Sequence, residues 1–371
     1  MPWREFIGNR NAVEQLQRLV ATQRAQRTVV LAGPEGVGKT TMALMLGLSL
    51  NCRNPPAAGD FCGECASCRQ AVPLHTLAEL ITQALEHRAA EVKTAPREAA
   101  PLVLALHPAV RLYPPDGDFL TMAQARALIH QSQLRPNAGS TWMLIIPEFD
   151  RARWATQAAL LKTLEEPPAG VAIAALARNP LALLPTVRSR ALVLTLAPVP
   201  IDQLAAALPA AHPPEGDEGA EGAGLAPADA ALRARLADGC PGRALRLDLA
   251  AYQQVRGEAL GLLQLAPQPE APGYAVSVFH LSESTRADKE KFETLIEILY
   301  SVLQDLVHLQ SGYAGGIRNV DCTRELMQLA QQFSSNQLTQ AIEELDRVQA
   351  GAGRNIFRPL ALESWALGLS R

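Results

Sequence analysis

Lysine and aromatic residues are both scarce in this chain. Of 34 basic side chains only Lys39, Lys93, Lys162, Lys289 and Lys291 are lysines, aromatics make up 5%, and the formal net charge is −3. Non-specific coating of nucleic acid needs a sizeable net positive face, so this balance leaves only local, geometrically placed contacts with DNA. Also missing is any uncharged apolar run of about 18 residues, the least that spans a bilayer as a helix. The opening Met1-Pro2-Trp3-Arg4-Glu5 has no basic segment followed by an apolar one. The expectation is a cytoplasmic protein with no membrane partner. A hydrophobic content of 48% over 371 residues excludes disorder of the whole chain and suffices for two or three domains.

Cysteine is sparse as well, but unevenly placed. Four of the six, Cys52, Cys62, Cys65 and Cys68, form a C-x9-C-x2-C-x2-C cluster, whereas Cys240 and Cys322 stand alone and read as buried. Thiols stay reduced in a long chain without a secretion signal. Four thiolates at this spacing close a tetrahedron around Zn²⁺ with no open position for a water, which makes a structural site. A redox pair is the poorer reading, because four ligands are present rather than two.

Thr28 to Ala32 reads as a short buried strand, and Thr41 to Leu50 as an apolar helix. Between them Gly33, Pro34, Glu35, Gly36, Val37, Gly38, Lys39, Thr40 and Thr41 complete a G-x-x-x-x-G-K-T phosphate loop in the context it requires. Inward-turned N–H groups, the Lys39 ammonium and the Thr40 hydroxyl suit the phosphates of ATP or ADP with Mg²⁺. Hydrolysis also needs an acid pair at the end of a second apolar strand, one for the metal and one to orient water. Here the Trp142 to Ile146 strand runs into Pro147-Glu148-Phe149-Asp150, so proline stands at the metal position. Glu148 and Asp150 read first as ordinary acids at a helix start, with Asp150 on the far side of the turn.

Further strands are expected at Val110 to Tyr113, Val171 to Ala177 and Leu192 to Leu196. Helices are expected over Thr121 to Gln131 and Thr156 to Glu166. Alternation of apolar strands with helices predicts a parallel sheet covered on both faces. Ala71 to Ala105 has helical periodicity and fits an inserted hairpin. Residues 209–227 are mostly Ala, Pro, Gly and Glu with almost no large apolar residue, a composition expected to form a flexible loop. Beyond Arg243 the pattern is helical throughout, with Phe292, Leu295, Ile296, Leu299, Val302, Leu303 and Leu306 on one stripe.

The phosphate loop, the cysteine cluster, His107-Pro108, the run Ala158 to Pro168 and the run Leu184 to Arg190 together resemble the delta-prime family of bacterial DNA polymerase III clamp-loader subunits. The likeness is close over roughly the first two hundred residues. It extends to Asp238-Gly239-Cys240-Pro241-Gly242-Arg243-Ala244-Leu245, and more loosely to the C-terminal third with Asn355 and Leu360 to Glu363. The resemblance implies an α/β AAA+ module over 1–198 that includes the zinc module at 52–68. A small helical lid over 199–243 and an all-α collar over 244–371 complete the implied organisation. It implies gamma/tau-type and delta subunits as partners in a ring, with the sliding clamp and primed DNA met through the complex. It further implies that Ser189 and Arg190, here followed by Ala191 in place of the family's cysteine, supply an arginine finger to a neighbour's ATP. A guanidinium is always charged and bidentate, so it can neutralise charge developing on a γ-phosphate across an interface. Asn179 stands where the family places a polar sensor, and Gly242 where it places a second sensor arginine, with Arg243 one residue away.

The expected function is a non-hydrolysing stator without ATPase activity of its own. The alternatives are an active gamma/tau-type ATPase or related AAA+ remodeller, and a zinc-ribbon module that binds nucleic acid. The last needs basic and aromatic residues around the cluster, where only Arg53, Phe61 and Arg69 occur.

Overall fold

The computed structural model describes residues 2–22, 27–73, 76–91, 101–117, 119–136, 140–208, 225–267, 270, 272–286, 289–352 and 357–369. These fall into two compact units. One comprises Met1–Glu221 with Gly239–Arg243, the other Gly222–Asp238 with Ala244–Arg371.

The first unit is built on a six-stranded sheet. In chain order its strands are β1 (Thr28–Ala32), β2 (Leu104–His107), β3 (Val110–Leu112), β4 (Trp142–Ile146), β5 (Val171–Ala177) and β6 (Leu192–Thr195), and in space they lie β2-β3-β4-β5-β1-β6. All neighbours are parallel except β2 and β3. Parallel strands are buried on both faces, and alternate residues of this sheet feed two separate cores. Val29, Leu31, Met143, Ile145, Ala172 and Ala174 pack with α1 (Arg10–Ala21), α2 (Lys39–Asn51) and the cysteine segment. Val30, Leu144, Ile146, Ile173 and Ala175 pack with α4 (Met122–Gln133), α5 (Trp154–Glu165) and α6 (Pro185–Arg190). The strand that carries the phosphate loop thus sits between β5 and β6, with helices on both sides of the sheet. This is the mostly parallel α/β sheet covered on both faces that the sequence pattern predicts.

Local chemistry sets the element ends. Thr121 and Gln124 form a reciprocal capping box, Thr121 Oγ1 accepting from Gln124 N at 3.3 Å and Gln124 Oε1 from Thr121 N at 3.0 Å. Pro167-Pro168 follows the C-cap Glu166 of α5, and the residue before a proline is disfavoured in helix, so α5 ends there.

Several expectations are corrected. Of the hairpin expected at 71–105, the described residues hold α3 (Leu77–Glu91) and the start of β2, while residues 92–100 lie outside the described residues. β2 itself has no counterpart among the strands expected. The strand expected to reach Tyr113 stops at Leu112. Of the expected loop at 209–227, residues 209–224 lie outside the described residues, and Pro227 already opens α8 (Pro227–Leu236). Cys240 is buried but Cys322 only half-buried.

After α7 (Ile201–Ala207) and α8, the chain continues through α9 (Pro241–Arg246), α10 (Leu249–Leu265), α11 (Pro272–Ser284), α12 (Lys289–Gln310), α13 (Thr323–Ala330), α14 (Ser335–Ala352) and α15 (Arg358–Gly368). The second unit has its own core, in which Phe292, Leu295, Leu299, Leu303 and Leu306 of α12 meet Leu326, Leu338, Leu345 and Trp365. Asn355 lies outside the described residues. No helix among the described residues is long and apolar enough to cross a membrane.

Candidate functional site

The phosphate loop connects β1 to the first turn of α2. Gly36 has φ +74°, a region open to glycine at little cost, and a Cβ there would stand 2.6 Å from Arg243 Cγ. Gly242 N donates to Gly36 O at 2.7 Å, so the Gly239–Arg243 segment rests directly on the loop. Lys39 Nζ donates to Gly33 O and Pro34 O, both at 2.7 Å. Burial, and after it the Arg178 guanidinium, hold the Lys39 ammonium below the ordinary lysine value, while Glu35 and Asp150 partly offset the shift. Val37 is buried beneath the loop.

Beyond β4, Pro147 occupies the position of the expected metal acid. Glu148 has a left-handed backbone and pairs with Arg151. Asp150 is not a plain acid at a helix start. Its Oδ2 accepts from the backbone N–H groups of Arg178 at 2.9 Å and Asn179 at 3.0 Å, tying the turn after β4 to the end of β5. Its Oδ1 is buried without a protein partner, and its charge is felt at Lys39. Asp150 thus sits in the first turn of a short helix, Phe149–Arg151, and ties that turn to the end of β5.

Asn179 Oδ1 caps the following turn by accepting from Leu181 N at 2.9 Å. The residue beside it does approach: Arg178 pairs with Glu35 of the phosphate loop. Sequence reading misses Arg178 because the contact depends on the pairing of β5 with β1, where Ala177 lies opposite Ala32.

Arg190 ends α6, with its guanidinium about half exposed and paired with Glu165 at the end of α5. Ser189 Oγ donates to Thr186 O at 3.1 Å and is exposed. Neither touches the chain's own phosphate loop in any described contact.

The four cysteines do come together. Their sulfurs all lie within 4.8 Å of one another, with Cys52 Sγ 3.6 Å from Cys62 Sγ. Thiolates around zinc, each near 2.3 Å from the metal, lie about 3.8 Å apart in a tetrahedron. Backbone N–H groups point at the sulfurs, Cys62 N at Cys52 Sγ (3.3 Å), Cys65 N at Cys62 Sγ (3.2 Å) and Cys68 N at Cys65 Sγ (3.5 Å). Burial opposes ionisation of Cys65, yet the N–H groups of Cys68 and Arg53 bring its thiol down to about 6. Burial pushes Cys52 and Cys68 the other way. The donor set and spacing fit a closed four-thiolate metal site. The segment is anchored from outside: Trp3 Nε1 donates to Ser49 Oγ at 2.7 Å, Trp3 meets Phe61 edge to face, and Ser67 hydrogen-bonds buried His107. Gly59, with φ +81°, passes so near α1 that a Cβ would stand 2.1 Å from Gln17 O.

Comparison with known proteins agrees with this architecture. Residues 8–200 match the family model described as DNA polymerase III, delta subunit, and residues 274–371 match the one described as DNA polymerase III, delta subunit, C terminal. Curated relatives include the DNA polymerase III subunit tau of Salmonella typhimurium, 26% identical over 200 residues that cover 54% of this chain and 26% of the relative. The subunit gamma of Buchnera aphidicola is 34% identical over 68 residues, 18% of this chain and 19% of that one. The chain thus spans at most about a quarter of the length of these relatives. Among solved structures, a gamma subunit-related protein of Thermotoga maritima aligns over 97% of this chain and 99% of its own, with 14% identity and a TM-score of 0.48. A clamp loader delta protein of Bacillus subtilis aligns over 97% and 100%, with 13% identity and a TM-score of 0.31. With one family model covering all six strands of the sheet and a second covering the C-terminal helices, the chain belongs to the DNA polymerase III delta-subunit family.

Proposed function

We propose that this chain is a delta-prime-type subunit of a clamp loader, a stator that holds nucleotide without hydrolysing it and donates Arg190 to the ATP of a neighbouring subunit. The observation that carries the reading is a complete phosphate-loop motif together with a strand followed by proline: Lys39 and Thr40 stand at the motif positions that hold phosphate and metal, and Pro147 stands where the acid completing the metal site would be. A half-exposed guanidinium at the end of α6, steadied by Glu165, suits delivery across an interface. Its partners are then gamma/tau-type and delta subunits, and through them the sliding clamp and primed DNA. ATP or ADP with Mg²⁺ would occupy the residues from Gly33 to Thr41, and one structural Zn²⁺ the four cysteines. The organisation that goes with this reading is a nucleotide module over 1–198, a lid over 199–243 and a collar over 244–371, in a cytoplasmic assembly.

The test is clamp- and DNA-stimulated ATP hydrolysis by the chain mixed with gamma/tau-type and delta subunits. Arg190→Ala should remove most of the turnover, a loss of about 10³-fold or more if it acts as a finger, while Lys39→Ala should change it little. Turnover by the isolated chain, or loss on Lys39→Ala instead, would assign an active gamma/tau-type ATPase. The full phosphate loop and the tau and gamma relatives make that the second reading.

A further inference from the structure

We propose that the cleft between the cysteine segment and the starts of β3 and β4 takes an unstacked base of single-stranded nucleic acid. The inference goes beyond the stator reading and depends on neither the phosphate loop nor Arg190.

In the sequence, the surroundings of the cluster offer only Arg53, Phe61 and Arg69 for contact with nucleic acid. The fold withdraws one of these, since Phe61 is buried edge to face against Trp3. It supplies others from far along the chain. The turn from β2 to β3 and the first residue of β4 meet the cysteine segment around a cleft of about 380 Å³, whose described lining includes Arg53, Ser67, Gln70, His107, Pro108 and Trp142. Its walls are pinned. His107 Nδ1 accepts from Ala109 N at 3.0 Å, which leaves the proton on Nε2 to be donated to Ser67 O at 3.1 Å. Trp142 Nε1 donates to Leu134 O at 3.0 Å. The Arg111 guanidinium lies over the Trp142 ring, 5.1 Å from its centroid, and donates to the carbonyls of His107 at 2.7 Å and Val110 at 3.1 Å. An indole and a guanidinium fixed in this way form a stacking unit before any ligand arrives.

The chemistry of the ligand follows from what the lining leaves unpaired. The side chains of Arg53 and Gln70 are exposed and have no hydrogen-bond or ionic partner among the described residues. No carboxylate lines the cleft among the described residues. A guanidinium suits a phosphate, and a carboxamide both donates and accepts, as the edge of a base does. An acidic peptide would answer Arg53 alone, whereas a nucleotide answers the indole, the carboxamide and the guanidinium together. A duplex hides the faces of its bases, so only a single strand can lay one against an aromatic ring.

The experiment is fluorescence anisotropy of fluorescein-labelled oligo(dT), about twelve nucleotides long, titrated with the full chain at low salt. Arg53→Ala should weaken binding by about five- to tenfold. Its metal content should not change, because the backbone N–H that Arg53 gives to Cys65 is kept. Trp142→Phe keeps a smaller ring in the stack and should weaken binding by about threefold. Arg324→Ala, which removes an exposed arginine of α13 in the second unit, should bind as wild type does. Unlabelled single strand should compete at least about tenfold better than a duplex of the same length. Equal affinity in wild type, Arg53→Ala and Trp142→Phe overturns the inference. So does a duplex that competes as well as the single strand, which would make the contact one of phosphates alone. Absence of binding by wild type overturns it too and leaves the cleft to a peptide of a partner subunit. None of these outcomes bears on Arg190 or Lys39, whose roles the ATPase assay decides.

Discussion

Single residues in this chain separate into those that hold the fold and those that do not, and the ion pairs show the difference. Arg190 is paired with Glu165, yet its side chain is 56% exposed. A pair at that exposure is screened by water and contributes about 0–1 kcal/mol. Arg190→Ala should therefore leave the thermal unfolding of the isolated chain nearly unchanged while removing stimulated turnover in the assembly. A calorimetric scan beside the ATPase assay checks both halves, and a large drop in melting temperature would make Arg190 a structural residue instead. Leu160 is the contrary case. It is fully buried on α5 among Val30, Leu144 and Ile173, and Leu160→Ala should cost about 2–5 kcal/mol through lost burial and the cavity left behind, read as an earlier midpoint in denaturant.

Among the elements, the cysteine segment is the one whose order a bound metal would affect most. Its ligands sit between α2 and buried His107, with few regular backbone bonds of their own, so the metal would supply much of its order. About one Zn²⁺ per chain should copurify, and Cys65→Ser should lose it and unfold earlier. Metal-free wild type of unchanged stability would refute the assignment. Protons compete with the metal for thiolates, so acidification should release zinc into a colorimetric chelator, faster below pH 6 than above it. Gly59→Ala is a companion test from outside the ligand set, since its Cβ would collide with Gln17 O and displace the segment from α1. The same elements show what a sequence reveals. The phosphate loop and the cysteine cluster are legible because their chemistry is local, with every participant within a short stretch of chain. β2 is not, because Leu104–His107 gains its partner only by doubling back through Pro108-Ala109 onto β3. Nor is the pairing of Arg178 with the loop, or the tie from Asp150 to the end of β5, which three strands create by lying side by side in the order β4-β5-β1.

In the molecule as a whole, polar groups are buried in both units, and in the second a chain of hydrogen bonds fixes the segment between α12 and α13. Asp305, fully buried, accepts from Arg318 N and Asn319 N, both at 2.9 Å, and from Asn319 Nδ2 at 2.8 Å. Asn319 Oδ1 accepts from Arg256 at 2.9 Å, and Arg256 reaches Asp321 Oδ1 at 2.8 Å. Periodicity predicts the helices here and says nothing of this network, since its members come from α10, α12 and an irregular turn. Burial pushes the Asp321 carboxyl up, but the Arg256 guanidinium more than reverses this and holds it below the usual carboxylate value. A carboxyl depressed in the folded state contributes its full stability above the unfolded value, about 3.9, and loses it as pH falls through the folded one. Thermal stability should therefore drop between pH 4 and lower values in wild type. Asp321→Asn should be destabilised by about 1–3 kcal/mol at pH 7, because Arg256 keeps its burial and loses its counter-charge. That variant should also show the smaller loss on acidification. Parallel melting-temperature profiles for the two proteins across this range would mean that the ion pair contributes nothing to the second unit, and that its order comes from the apolar stripe of α12 and the neutral hydrogen bonds alone.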